Sequence, residues 1–555
     1  MSSQSSDLES NKKAEMETSN PTVSVLSTSN GEHSMADNTQ EKQDSAVPLP
    51  AGDEEPEYAT GLRLFLTMFT ILMSSLLAAL EIGIIATAIP GITDEFHRLE
   101  DVGWYGSATF LVAGPSSPMW GKLYKYFNVK YAYLSSVALY LLGSIVAAAA
   151  PNSAAVIRLP LIINYVAEPK RRPMLIGIWM GVFMISTILG PIIGGAFTSE
   201  VSWRWCFWIS LPLGAPIVVL SLLFLRMPKH IKPVPATWKE IFGHLDLPGF
   251  SLLLASLVCF TLALQWGGQI KAWNDGSVIT TLVLWVSFTI IFFIVEGLQG
   301  ARAMVPLKLL RPRIVWTNAL YCFTSNSALF QVIFYLPIYF QSIHGKSAIM
   351  SGVDSLPFLA FFALGAVVSG AAIGKTLLLQ PYQLTSALLM TAGMALFYTM
   401  DVDSSQARYI GPEILFGFGL GLSNQIPMTA VQGFSKPADV TSSTGIIFMC
   451  QPLSGAYFLG IAQSIFANRM LQTLETTPSN VDAVKVLNTG ASEIQHVFSG
   501  GDLAAVVGAY MVGIKDVFAF ALAASAFAVL LAFMIPFKKL PDYDSKKTEE
   551  KVATV

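Results

Sequence analysis

Apolar runs of about twenty residues, each closed by a short polar or basic patch, repeat along almost the whole chain. A helix rises about 1.5 Å per residue, so a run of about twenty matches the ~30 Å hydrocarbon core of a bilayer. The pattern predicts helical spans near residues 64–90, 102–120 and 131–150, and two more between 181 and 226. Beyond a polar, basic loop it predicts further spans near 250–268, 278–297, 314–340, 352–374, 379–400, 409–431, 440–466 and 511–535. One stretch between Pro151 and Glu168 breaks the pattern, because Arg158 and Pro160 interrupt it and it is short for a crossing. Residues 1–61 and 538–555 are polar and charged, cannot bury a core, and are expected to be disordered.

Charge decides whether the short stretch belongs to the crossings. With loops assigned alternately from an inside amino terminus, the inside loops carry sixteen Lys and Arg and the outside loops eight. Without a fourth crossing every later loop would invert and break the positive-inside rule. The expected plan is therefore fourteen crossings with both ends inside and the fourth truncated, as the loss of roughly fifteen residues would leave it against a full span of about twenty.

Composition agrees with a membrane-embedded chain: of 555 residues, 53% are hydrophobic and only 13% charged, with a mean hydropathy of +0.54. A soluble domain carries about twice that share of charge. The four cysteines (Cys206, Cys259, Cys322 and Cys450) all lie in apolar runs, which reads as buried thiols without a disulfide or zinc framework. A phosphate-cradling loop is not completed either: Gly374-Lys375-Thr376 has Ser369, and Gly345-Lys346-Ser347 has Phe340, where the first glycine should stand. No hydrolase or metalloprotease signature and no basic nucleic-acid patch occurs, so the expectation is no enzyme, no metal, no cofactor, no ATP and no nucleic acid.

The most informative stretch runs from Gly181 to Gly214, GVFMISTILGPIIGGAFTSEVSWRWCFWISLPLG. Its GPxxGG helix, followed by WRWCFWISLPLG, resembles the fourteen-span drug:proton antiporter branch of the major facilitator superfamily. The resemblance implies an all-α polytopic fold of two six-helix bundles plus two central helices. It sets the family's antiporter motif on Gly190, Pro191, Gly194 and Gly195, with Ser210 where the family usually has asparagine. Leu80 to Pro90 resembles the family's LDxTIVxxALP motif, with Glu81 for the usual aspartate and Gly83 for the usual threonine. In the loop between helices 2 and 3, Gly121, Lys122 and Lys130 match the family's gating motif, whereas Lys125 replaces its aspartate. Arg158 stands where the family has the arginine of GRxxxGxGxG, thought to take part in proton transfer, but the glycines after it are absent. Phe334 to Gln341 resembles the family's YYLPIYFQ stretch.

On this plan, 62–226 is an amino-terminal bundle, 227–313 holds a cytoplasmic loop and the two central helices, and 314–537 is a carboxy-terminal bundle with an outer loop at 468–510. An ionisable group inside a span costs several kcal/mol unless it faces a cavity or a partner. Two roles fit Glu81: proton or cation binding, and a structural pairing with a neighbouring helix. Glu296, at the inner end of its span, is expected to be structural, beside Arg302. Gln265, Tyr335, Gln341, Asn424, Gln425, Gln432 and Gln451 suit a cavity for a partly polar organic substrate, and equally suit hydrogen bonds between helices.

The function implied is export of small amphipathic compounds (drugs, toxins, secondary metabolites) by proton antiport. The expected site is the plasma membrane, with the vacuolar membrane as alternative. An importer or siderophore-type carrier on the same fold is one rival reading. A non-transporting sensor or inactive product, given the truncated fourth span, is the other.

Overall fold

The computed structural model describes residues 61–96, 102–148, 200–225, 235–436, 439–477 and 493–541, with scattered positions between 182 and 198 and between 481 and 489. Arg158, Pro191, the short fourth stretch, residues 1–60 and residues 542–555 lie outside the described residues, whereas 538–541, expected to be disordered, are packed against the turn at Leu377. The described part is all-α, with only isolated β-bridges, and nine of its helices are long and apolar enough to cross a membrane. Helices are forced here: lipid offers no partner to N–H and C=O groups, so each must be satisfied within its own segment.

The amino-terminal half holds α1 (Gly61–Phe96), α2 (Val102–Tyr126), α3 (Val129–Ala148) and α4 (Ser210–Phe224). A short amphipathic α5 (Trp238–His244) leads into a central hairpin, α6 (Leu247–Trp266) and α7 (Gly276–Gln299). The carboxy-terminal half contains α8 (Arg313–Ser342), α9 (Leu356–Thr376), α10 (Gln380–Tyr398), α11 (Gln406–Ser423), α12 (Ile426–Phe434), α13 (Val440–Thr476) and α14 (Gly500–Met534).

Local chemistry sets where several of these begin. Thr237 and Glu240 form a reciprocal capping box on α5, with Thr237 N–H donating to Glu240 at 2.8 Å. Asp275 caps α7 by accepting from the Ser277 N–H at 2.8 Å. Asp246 caps α6 from a left-handed backbone conformation, φ 52°, which is uncommon for a residue with a side chain.

Two boundaries differ from the sequence expectation. The span expected at 409–431 is two helices, because the chain turns at Asn424–Gln425 and restarts with Pro427, whose missing N–H is harmless in a first turn. The outer loop expected at 468–510 is shorter, since α13 continues to Thr476 and α14 already begins at Gly500. Packing extends them: Phe466 meets Tyr510 edge-on at 5.2 Å, and Val506 and Ala509 are fully buried.

Glycine draws the carboxy-terminal helices together. A Cβ added at Gly417 or Gly421 would fall 2.3 Å from the Phe358 carbonyl oxygen or 2.1 Å from that of Phe362, both on α9. On another face of α11, one at Gly419 would fall 2.8 Å from Leu389 Cβ on α10. The helix is thus pressed against two neighbours at once, the packing mode that lipid favours because apolar burial gives helices little reason to associate. Beyond α14 the chain folds back, and Leu540 N–H donates to the Leu377 carbonyl at 2.7 Å beside Gly433.

Replacing Gly417 by valine is expected to destabilise the protein by at least about 1–3 kcal/mol through overpacking. Gly374→Ala, where a Cβ meets nothing within 4 Å, should leave stability unchanged or slightly raised. Thermal unfolding of the two purified variants in detergent checks the contrast.

Candidate transport site

Small residues bring the two halves together along α2 and α13. A Cβ at Gly114 would touch Leu453 at 3.5 Å, one at Gly445 would touch Pro118 at 3.4 Å, and one at Gly455 would meet the Phe110 ring at 3.0 Å. Phe110 also meets Phe330 of α8 edge-on at 4.9 Å. The central hairpin joins this seam through rings: Phe260 of α6 lies 4.8 Å from Trp285 of α7 and 4.9 Å from Tyr457 of α13, and Phe323 of α8 lies 5.1 Å from Phe458. An aromatic, weakly polar seam is thereby placed where α2, α6, α8 and α13 meet.

At one end of that seam Lys122 acts as a clasp. Its Nζ donates to the carbonyls of His244, Arg302 and Ala303 at 2.8, 2.8 and 2.6 Å. Three carbonyls match the three donors of an ammonium. The clasp ties the end of α2 to both ends of the central hairpin. Lys130, which the sequence grouped with Lys122, does something else: it donates to the Leu222 carbonyl at 2.7 Å, near the C-terminus of α4. A cation there satisfies an end-of-helix carbonyl and the helix dipole. The backbone of Gly121 lies within α2.

Glu81 occupies a second polar centre. Its carboxyl hydrogen-bonds Tyr140 of α3, whose hydroxyl is 3.1 Å from Ser210 Oγ at the start of α4. Three helices therefore converge on one half-buried carboxyl. It lies about 26 Å along the helix from Leu64, about two-thirds of the way through the 64–90 span. The next turns of α1, at Leu80 and Ile84, pack with Trp203, Cys206 and Phe207 and with Ile193 and Phe197 from the glycine motif. Gly190 and Gly194 are buried and Gly195 is half-buried. The Gly194 carbonyl accepts from Thr198 Oγ1 at 2.7 Å. The motif and the carboxyl are thus packed into one cluster, and Arg204 lies over the Trp203 ring at 4.5 Å.

The amides named from the sequence do not gather at one place. Gln425 donates to the Ala366 carbonyl and Ser369 Oγ of α9 at 3.2 and 3.1 Å, beside buried Asn424, and Tyr335 donates to Gln463 at 3.2 Å. These are bonds between helices. Gln451 is half-buried in α13 near the seam, Gln265 and Gln341 lie at the last turns of α6 and α8, and Gln432 is near the end of α12.

Other polar groups escaped the sequence reading. In α8, Asn318, Thr324, Asn326 and Gln331 are all buried, Asn318 accepting from Gln383 at 2.8 Å. Tyr321 bonds the Gln383 carbonyl and the hydroxyls of Ser386 and Ser423. Glu413 of α11 is wholly buried; it faces the backbone of Phe358 in the first turn of α9, and no donor comes within hydrogen-bond distance of either oxygen. The rule that singled out Glu81, a lone carboxyl in an apolar run, applies equally to Glu413 in GPEILFGFG.

Glu296 corrects the expectation of a partnership with Arg302. It accepts from the Val305 N–H at 2.7 Å and hydrogen-bonds Asp246 instead, because the turn after α7 presents its backbone N–H groups to the carboxyls.

At the other end of the molecule, Lys346 pairs with Asp354 and donates to the Tyr409 hydroxyl at 2.9 Å. His344 sits 3.0 Å from the Tyr339 hydroxyl. Burial holds the His344 imidazole below its ordinary value, and the Lys346 charge acts the same way.

Together these features define a polytopic helical carrier, with two groups of helices meeting along a seam and carboxyl groups set within the apolar spans. The chain belongs to the Major Facilitator Superfamily, whose pattern it matches over residues 71–459. It is 65% identical to a dehydrocurvularin exporter of Alternaria cinerariae, covering 99% of this chain and 96% of that one, and 64% identical to a dehydrocurvularin exporter of Aspergillus terreus, covering 98% and 96%. An efflux pump of an Aspergillus species, notK, is 63% identical, with 91% of each chain covered. The alignment with the Alternaria protein runs over 562 positions against the 555 residues here, so that relative carries residues without a counterpart in this chain. Among solved structures, the human organic anion transporter MFSD10 has the same fold with TM-score 0.53 at 13% identity, covering 85% of this chain and all of that one. The proton:xylose symporter XylE follows at TM-score 0.52 and 12% identity, covering 86% and 97%.

Lys122→Met is expected to open the clasped end of the seam by removing bonds from a charged donor, each of which contributes about 1.5–3 kcal/mol. Spin labels on the ends of α2 and α7 should report a longer, broader distance distribution in the variant than in the parent.

Proposed function

We propose that this protein exports a small amphipathic secondary metabolite, dehydrocurvularin or a close chemical analogue, across the plasma membrane in exchange for protons. The observation carrying the substrate class is the 64–65% identity, over nearly the full length, to two proteins named as dehydrocurvularin exporters. Supporting it, the seam where the two halves meet is lined by Phe110, Phe260, Phe323, Phe330 and Tyr457, rings that suit a largely apolar ligand.

Proton exchange is supported by Glu81. A carboxyl about two-thirds of the way along an apolar span, beside a Tyr140 hydroxyl that Ser210 holds, lies nearer the outer side on the fourteen-crossing plan and can take a proton from there. Protonation removes its charge and weakens its hold on the Tyr140 hydroxyl, loosening α1 against α3 and α4. One proton moving through 100 mV releases about 2.3 kcal/mol, enough to bias a rocking equilibrium of the two bundles. Ile193 and Phe197, from the segment that carries Gly190, Gly194 and Gly195, pack in one cluster with Leu80 and Ile84 on either side of Glu81, so a change at Glu81 reaches the helix contacts directly. Arg158 completes the proposed proton machinery on the resemblance alone.

In proteoliposomes with an imposed pH gradient, labelled dehydrocurvularin should move against its gradient with the parent protein. Glu81→Gln should lose at least about ten-fold of that rate, which corresponds to about 1.4 kcal/mol in the coupled step, while still binding the compound. No gradient-driven movement in the parent would defeat the export reading, and an unchanged rate in Glu81→Gln would remove Glu81 from it.

A further inference from the structure

At the clasped end of the seam two buried carboxyls face each other. Asp246 and Glu296 are each only 1% exposed. Asp246 Oδ2 and Glu296 Oε1 fall 2.5 and 2.7 Å from the point where a Cβ on Gly249 would sit, so both crowd the space that this glycine leaves open. The two carboxyls therefore lie against one another, where a hydrogen bond between them can form. Neither a carboxylate oxygen nor its partner can donate, so such a bond requires a proton.

The other bonds say which group carries it. Asp246 accepts from the Gly249 N–H at 2.9 Å, the Gln299 side-chain amide at 2.6 Å and the Met304 N–H at 2.8 Å. Three donors favour its ionised form. Glu296 accepts from the Val305 N–H through Oε2, and among the described residues no donor reaches its Oε1. The proton therefore belongs on Glu296 Oε1, donating to Asp246 Oδ2.

We propose that Asp246 and Glu296 form a proton-binding site at this end of the central hairpin, holding one shared proton for as long as Lys122 keeps the seam closed. The surroundings match one negative charge. Lys122 faces the pair from α2, with Tyr126 one turn beyond it, while His244 and Arg302 on either side give Lys122 their backbone carbonyls. Losing the proton would leave two negative charges in a buried pocket against the single positive charge of Lys122, which is costly. Release therefore needs water, and water enters only when the clasp gives way. The link runs through the backbone: Met304 and Val305 are held by the carboxyls, while Arg302 and Ala303, immediately before them, hold Lys122. The site stands whatever the carrier moves; its use in driving export rests on the proposed exchange mechanism.

Infrared difference spectroscopy of the full chain in liposomes, titrated with pH, tests the site without any transported compound. The parent should show a protonated-carboxyl C=O band that both Asp246→Asn and Glu296→Gln lose. In Glu296→Gln the amide supplies the donor permanently, so folding should be kept. Hydrogen exchange at residues 302–305 should then lose the step above its intrinsic pH dependence that the parent shows when the band disappears. A band unchanged in both variants, or exchange at 302–305 with the same step in Glu296→Gln as in the parent, would overturn the proposal. A failure of gradient-driven export would leave both spectra untouched, so the two readings fail separately.

Discussion

The constraint on which this architecture depends is that lipid satisfies no polar group. It fixes the secondary structure, since a spanning segment must close its own hydrogen bonds. It also fixes the way helices meet. With apolar tails on every side, association has to come from close backbone contact and from polar groups that find each other. Both are visible in one helix pair: α11 is pressed onto α9 through Gly417 and Gly421, and Gln425 just beyond it bonds the Ala366 carbonyl and Ser369.

The same constraint makes charged groups informative. Glu81, Glu296 and Glu413 all sit in or at the ends of apolar helices, yet their surroundings differ. Glu81 is answered by the Tyr140 hydroxyl, itself held by Ser210, and Glu296 by a second carboxyl and a backbone N–H. Glu413 faces the first turn of α9, within reach of the Lys346 and Asp354 charges. A transporter needs groups whose charge can change at modest cost in one state and at high cost in another, and partial satisfaction is how a buried site provides that.

Much of this could be read from residues alone. Span positions followed from hydrophobic run length. Gly417, Gly419 and Gly421 stand at alternate positions in the sequence, and the structure adds that they serve two neighbours on different faces. Glu81 stood out because charge in an apolar run is conspicuous. What stayed hidden depends on long-range placement. Lys122 looked like one lysine among several at the end of a span, and nothing in its neighbourhood says that its partners are carbonyls at 244, 302 and 303. Asp246 looked like part of a polar loop, and its bond to Glu296 joins residues fifty apart in sequence. The buried amides of α8 were hidden for another reason: a span that faces protein on most sides need not be strongly apolar, so hydropathy gives no cue to its interior.

The tail beyond α14 has a practical bearing. Leu540 is stitched to Leu377 in the turn between α9 and α10, and it fills the space left by the missing side chain of Gly433. Residues 538–541 therefore cover the ends of three helices instead of trailing into solvent. A reporter fused after Val555 would hang from a fixed point and leave that cover in place, whereas a fusion joined at the end of α14 would strip it away.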